Sequence, residues 1–331
     1  MVTKKKILGE KEYTDYLRRL FGKPDDSSMA VSRGVTFQIT GDCTLRCSYC
    51  YEHHKSCGAM TLETGRKIVD YILNLYEDGT GSFINKSTKG IVLDFIGGEP
   101  LLEAELIEHI CDYFFAECWR RKIPIAPFSR ISFATNGQLW FTPEAQHLFK
   151  KYHDMMSVTV SIDGVKELHD ACRVDKNGIG SFESAYKAFQ DGKKYGWYGS
   201  KMTFVPESIK YIFPSVKMMV AEGCEAINCN FAYEPMYTRD DAEAIYIELK
   251  KLSDWLIETK CLSFISILES DLGTPLGPED NQNYCGGTGN MLAFAPDGKA
   301  YPCIRYAPIS IGDEKAADIC FGDCFNGTFK T

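Results

Sequence analysis

Residues 39–54 read ITGDCTLRCSYCYEHH and place Cys43, Cys47 and Cys50 in a C-x3-C-x2-C array. Few sequences concentrate oxidation-prone side chains so tightly without a use for them. Just upstream, VTFQIT (35–40) is rich in β-branched and aromatic residues and reads as a strand. The triad therefore follows the end of a first strand.

Downstream, the same rhythm repeats. GIVLDFIG (90–97), RISFATN (130–136), MSVTVSID (156–163), KMTFVP (201–206) and EAINCNFAY (225–233) also read as strands. Amphipathic helices are expected between them. One has Ile68, Tyr71, Ile72 and Leu75 on a face, another Leu102, Leu106, Ile110, Phe114 and Cys118, and a later one Ile245, Leu249, Leu252 and Leu256. Strands alternating with helices imply a parallel sheet, open and doubly wound or curled into a barrel. Sites in such sheets lie at the carboxyl ends of the strands, where the triad falls. Residues 1–34 read as a helical extension ending in a polar loop, 35–262 as the α/β core, and 263–331 as a separate tail rich in Gly, Cys, Asp and Pro.

The 331 residues are 44% hydrophobic and 25% charged, an ordinary globular balance. A net charge of −8 argues against a nucleic-acid partner. No apolar run is long enough for a membrane span, and the N-terminus lacks the apolar segment of a signal peptide. A cytoplasmic location is expected. In that compartment the 14 cysteines are not a disulfide framework, and metal binding is the default for clustered thiols. The scattered Cys57, Cys111, Cys118, Cys172, Cys224, Cys229 and Cys261 read as small buried hydrophobes.

Structural zinc takes four ligands, and the local candidates for a fourth are Cys57, His53 and His54. A [4Fe–4S] cluster on three thiolates instead keeps one iron open to another molecule, which suits a triad better. With Tyr49 before its last cysteine, the motif resembles that of the radical S-adenosylmethionine (SAM) enzymes. The resemblance implies a partial (β/α)6 TIM-like barrel. It also implies a cluster whose open iron chelates the methionine part of SAM and whose electron releases a 5′-deoxyadenosyl radical. The electron would come from a low-potential donor such as flavodoxin or ferredoxin.

Further motifs match in order. GGEP (97–100) ends the second strand; in the family this segment meets the methionine amino group, which makes Gly97, Gly98 and Glu99 candidates. TNG (135–137) closes the third strand and SIDG (161–164) the fourth. On the fourth, Val158, Val160 and Ile162 face one way and Thr159, Ser161 and Asp163 the other. Asn136, Ser161 and Asp163 are candidate contacts for the ribose and carboxylate of SAM. Each of these motifs also reads as ordinary turn and loop chemistry. The run SIDGVKELHDACRVDKNGIGSFE (161–183) looks like members that act on peptides and proteins. Its Arg173 either neutralises the cofactor carboxylate or fixes the loop by a salt bridge.

CGGTGNMLAFAPDGKAYPC (285–303) resembles the opening of a SPASM extension, in which auxiliary iron–sulfur clusters are bound. Cys285 and Cys303 are its candidate ligands, on a hairpin turning at Pro296-Asp297-Gly298. The tail ends at CFGDCFNGTFKT. Cys320 and Cys324 either complete one cluster, as in the shorter twitch variant, or precede cysteines of a chain cut short, the reading favoured here. The resemblance implies a maturase of a ribosomally made precursor peptide, commonly forming a thioether. The alternatives are an anaerobic sulfatase-maturating enzyme and a non-catalytic iron–sulfur or zinc module. No general base stands out; several acids between 222 and 271 are eligible.

Overall fold

The computed structural model describes residues 31–55, 58–81, 83–269 and 291–329. The proposed helical extension up to residue 30, Cys57 and Cys285 lie outside these. The first strand, β1 (Val31–Thr40), starts ahead of the expected residue 35. It leads into α1 (Leu62–Asp78), β2 (Thr88–Gly97), α2 (Ala104–Arg120), β3 (Arg130–Thr135), α3 (Pro143–Tyr152) and β4 (Met156–Ser161). Then follow α4 (Lys166–Cys172), α5 (Phe182–Gly192), β5 (Gly199–Phe204), α6 (Ile212–Ala221), β6 (Ala226–Phe231), α7 (Arg239–Thr259) and β7 (Phe264–Ile265).

From β1 to β7 each strand pairs in parallel with the next. The sheet stays open rather than closing on itself. The other edge of β1 pairs in parallel with β8 (Met291–Phe294), followed by antiparallel β9 (Lys299–Tyr301), β10 (Gly322–Asp323) and β11 (Thr328–Phe329). The β8–β9 hairpin turns at Pro296-Asp297-Gly298, closed by the Gly298 N–H on the Ala295 carbonyl at 2.9 Å.

Local signals explain the helices. Thr61 caps α1 by accepting from the Thr64 N–H, and Gly79 ends it in the left-handed conformation. The expected α2 stripe is corrected at its first residue. Pro100 opens a 3-10 turn over Pro100–Glu103, which puts Leu102 out of phase and 40% exposed. The buried face is Ile107, Ile110, Cys111, Phe114 and Cys118, so Cys118 is core as read. On α7 only Leu252 of the four expected residues is fully buried; Ile245, Leu249 and Leu256 are partly covered.

Two-residue alternation divides the strands. Phe37, Phe95, Phe133, Val160, Met202 and Ile227 join the main core, while Thr36, Gln38, Asp94, Ser161 and Lys201 share the opposite face. A second small core, with Ala295, Tyr301, Ile304, Ile309 and Ala316, packs against Tyr51 and Ile96. Among the described residues, no helix is long and apolar enough to cross a membrane.

Candidate cluster and cofactor site

The three cysteines lie on the loop after β1, at the carboxyl end of the sheet. Two contacts hold that loop from one side: Arg46 N–H donates to the Val174 carbonyl at 2.7 Å, and Ser48 N–H to that of Cys172 at 2.9 Å. On the other side, Gly98 N–H donates to Thr40 O at 3.1 Å and Glu99 N–H to Asp42 O at 2.9 Å. A Cβ on Gly97 would stand 2.3 Å from Thr40 O, and one on Gly98 2.1 Å from Asp42 O. Both glycines thus admit the protein's own loop, a purpose distinct from the ligand approach expected of them.

Cys43, Cys47 and Cys50 are partly exposed and line an open recess of about 460 Å³ with Glu52, His53 and Lys55. Donors already point at two of the sulfurs: Leu45 N–H at 3.4 Å and Asn136 Nδ2 at 3.7 Å from Cys43, and Arg173 Nη1 at 3.9 Å from Cys47. Burial raises the Cys43 thiol pKa and pushes that of Cys47 up to about 11, while Lys55 and Arg173 respectively oppose the rise. Displacing those protons is the work of a bound metal group. Of the local candidates for a fourth ligand, His54 turns its ring toward Gly312. Three thiols on one loop, with donors to their sulfurs, fit a three-thiolate [4Fe–4S] cluster.

Glu99 is buried, and its oxygens are largely engaged. Oε1 accepts from Leu101 N–H at 3.1 Å and Thr135 Oγ1 at 2.7 Å, and Oε2 from Asn136 N–H at 2.8 Å. Burial nevertheless holds its pKa above the usual carboxylate value. A carboxylate has about four acceptor positions, so room for one further donor is left. Asn136 in turn reaches Thr44 Oγ1 at 3.0 Å. Glu99 and Asn136 together fasten the ends of β2 and β3 to the cysteine loop.

Asp163 and Arg173 form a buried ion pair. Asp163 Oδ2 accepts from Arg173 Nε at 2.9 Å and from the Tyr49 hydroxyl; Oδ1 accepts from Thr203 N–H at 3.0 Å. The Arg173 guanidinium lies over the Tyr49 ring, 5.4 Å from its centroid. Of the two roles open to Arg173, the salt bridge is present. The rest of the 161–183 motif supports it. Asp163 N–H donates to His169 Nδ1 at 3.3 Å, His169 Nε2 meets Ser181 Oγ at 3.0 Å, and Ser181 Oγ donates to the Arg173 carbonyl at 2.8 Å. Asp170 accepts from Phe182 N–H at 2.8 Å and packs where a Cβ on Gly180 would be. Ser161 is buried on the lumen face without a side-chain bond among the described residues.

In the tail, Cys303 and Cys320 border the second small core, whereas Cys324 is buried in the main core at the hairpin turn. Sequence reasoning passed over Arg305, which pairs with Glu234 and lies 4.2 Å from the centroid of Tyr51, next to Cys50. It also passed over Lys201, although Lys201 and Thr203 alternate with apolar Met202 and Phe204 as lumen-facing residues should.

A parallel α/β sheet with a three-thiol loop at the carboxyl end of its first strand defines a class of cluster-bearing enzymes. The Radical SAM superfamily model matches residues 37–212, more than half of this chain, and the chain belongs to that family. The family uses a [4Fe–4S] cluster and SAM. A cysteine-type anaerobic sulfatase-maturating enzyme of Clostridium perfringens (strain 13 / Type A) is 30% identical over 80% of this chain and 72% of its own length. The subtilosin biosynthesis protein AlbA of Bacillus subtilis is 26% identical over 47% of this chain and 29% of its own. The solved structure of native anSMEcpe with bound AdoMet shares the fold, with a TM-score of 0.67 at 20% identity, covering 88% of this chain and 78% of that one. The chain spans 60%, 29% and 57% of the length of three of the curated relatives it matches.

Proposed function

We propose that this protein is a radical SAM maturase of a ribosomally made precursor peptide. The observation that carries the reading is the cysteine loop, fixed by Asp163, Arg173 and Asn136 at the mouth of a polar lumen. When bound on Cys43, Cys47 and Cys50, the cluster supplies the electron that splits SAM into methionine and a 5′-deoxyadenosyl radical. The chain's own residues keep that chemistry in place. Asp163 and Arg173 hold Tyr49 between two of the ligands, and Gly97 and Gly98 let the loop close on β2. Glu99, with one acceptor position left, is suited to the cofactor's ammonium group. The radical would take a hydrogen atom from a peptide residue, giving 5′-deoxyadenosine; the carbon radical would then bond to a cysteine sulfur, with the thiol proton released and one electron passed to an oxidised iron–sulfur cluster of this chain. A flavodoxin or ferredoxin is the proposed electron donor. The proposed location is the cytoplasm, where thiols stay reduced. Cys303, with Cys285, is a proposed auxiliary-cluster ligand.

A second reading, oxidation of a sulfatase cysteine to formylglycine, is favoured by 30% identity to a sulfatase-maturating enzyme over 80% of this chain. Anaerobic incubation with a cysteine-rich peptide encoded beside the gene, and separately with a sulfatase-derived cysteine peptide, tests both by mass analysis. Loss of two hydrogens from the first supports the proposal. Loss of sulfur from the second alone supports the alternative.

A further inference from the structure

The segment after α4 is built onto the cysteine loop. Two isolated antiparallel bridges, Leu45 with Asp175 and Val174 with Gly180, lay residues 173–180 against that loop as a short hairpin. The Arg46 N–H on the Val174 carbonyl closes the contact at 2.7 Å. The hairpin is stiff. Asp175 Oδ1 accepts from the N–H groups of Asn177 at 2.8 Å and Ile179 at 2.9 Å, and Gly178 carries the turn with a φ of 79°. At its inner end Arg173 reaches the Cys47 sulfur at 3.9 Å. At its outer end Lys176 and Asn177 are exposed, and so is the apolar Ile179, at 64%.

Charge is divided across the loop. On the hairpin flank stand Arg46 and Lys176, both exposed and, among the described residues, neither paired with a carboxylate. Arg46 Nη1 lies along the loop, donating to the carbonyls of Leu45 at 3.2 Å and Cys43 at 3.4 Å. The acids nearby are engaged: Asp175 by its own turn, Asp170 and Glu183 by Lys166 at 2.8 and 3.2 Å. Asp42 lies on the opposite flank, beside Glu103. The chain as a whole carries −8, so an acidic protein is repelled from most of its surface and steered to a local excess of cations.

We propose that Arg46, Lys176 and Ile179 form the docking surface for an acidic one-electron carrier protein. The inference rests on the proposed function, which requires an electron from outside the chain. In that reading SAM and peptide take the lumen side of the cysteine loop, which leaves the carrier its outer side. There the hairpin is hydrogen-bonded directly to the backbone between Cys43 and Cys50. On docking, the carrier loses one electron and the cluster held by the three cysteines gains it. Two cations around one apolar side chain make a small footprint, as suits a transient electron-transfer contact.

The test uses the anaerobically reconstituted full chain with an acidic flavodoxin as the probe. Formation of 5′-deoxyadenosine is driven by limiting reduced flavodoxin and, in parallel, by dithionite; binding of oxidised flavodoxin is measured separately. Lys176→Glu should slow the flavodoxin-driven rate about tenfold at low salt, and added salt should narrow the gap. Its dithionite-driven rate should hold. Ile179→Asp should act in the same direction. Lys150→Glu makes the same charge change at the exposed end of α3, near the amino ends of the strands, and should leave both rates at wild-type values. An undiminished flavodoxin-driven rate in Lys176→Glu and Ile179→Asp, or an equal fall in Lys150→Glu, overturns the proposal. So does an equal fall under dithionite with iron retained. If Lys176→Glu loses iron, Lys176→Gln carries the same comparison with a smaller fall. Failure of wild type to cleave SAM with dithionite would strike the proposed function. Flavodoxin binding weakened by Lys176→Glu would then still support the surface, and unchanged binding would overturn it.

Discussion

Arg173 Nε lies 2.9 Å from Asp163 Oδ2, and the Tyr49 hydroxyl bonds to the same oxygen. Tyr49 sits between Cys47 and Cys50, so a buried ion pair sets the shape of the cysteine loop. Asp163→Asn leaves the guanidinium buried without its counter-charge, which costs about 3–5 kcal/mol. The variant should lose that much stability in urea denaturation and retain less iron after reconstitution. Wild-type iron and stability in Asp163→Asn would deprive the pair of this role. Arg173→Lys should not hold the loop either, because an ammonium cannot make the paired contacts of Nε with Asp163 Oδ2 at 2.9 Å and Nη2 with Oδ1 at 3.3 Å.

Gly98→Ala tests the close approach of β2 to the loop. Its Cβ would stand 2.1 Å from Asp42 O and 2.9 Å from Cys43 Cβ, both hard to move. The loop must shift, so cluster incorporation should fall while far-ultraviolet circular dichroism stays native. Full iron content in the alanine variant would mean that the loop yields without consequence.

His169 gives the protein a pH dependence with a definite sign. Burial lowers its pKa to about 4, because the ring is fully enclosed and accepts from Asp163 N–H. An unfolded histidine titrates near 6.5. The folded state therefore resists protonation: the contribution is fully present above pH 6.5, declines as pH falls, and is lost by about pH 4. Between pH 7 and pH 5 the loss should be about 2 kcal/mol. Urea titrations of the cluster-free protein should show that slope, and His169→Gln should flatten it. An equal slope in the variant would place the titration elsewhere.

The triad, the strands and the β8–β9 hairpin were legible because their signals are local: cysteine spacing, two-residue alternation and turn residues. The partners of Glu99 and Asp163 were not. Each carboxylate reads as free to meet a ligand, and only the convergence of β2 with β3, or of β4 with the cysteine loop, shows protein donors there. The parallel docking of β8 beside β1 was equally hidden, since a four-residue strand does not announce a partner more than 250 positions away. Leu102 was misplaced by periodicity alone, although Pro100 already marks the break in phase.

The most direct test of the whole account is iron and 5′-deoxyadenosine in the same samples. Wild type and the triple variant Cys43→Ala, Cys47→Ala, Cys50→Ala are reconstituted anaerobically and given SAM and dithionite. Wild type should give a reducible [4Fe–4S] signal, perturbed by SAM, with 5′-deoxyadenosine formation, and the triple variant should lose both that perturbation and that product. Cleavage of SAM by the triple variant, or a wild-type cluster indifferent to SAM, would contradict it.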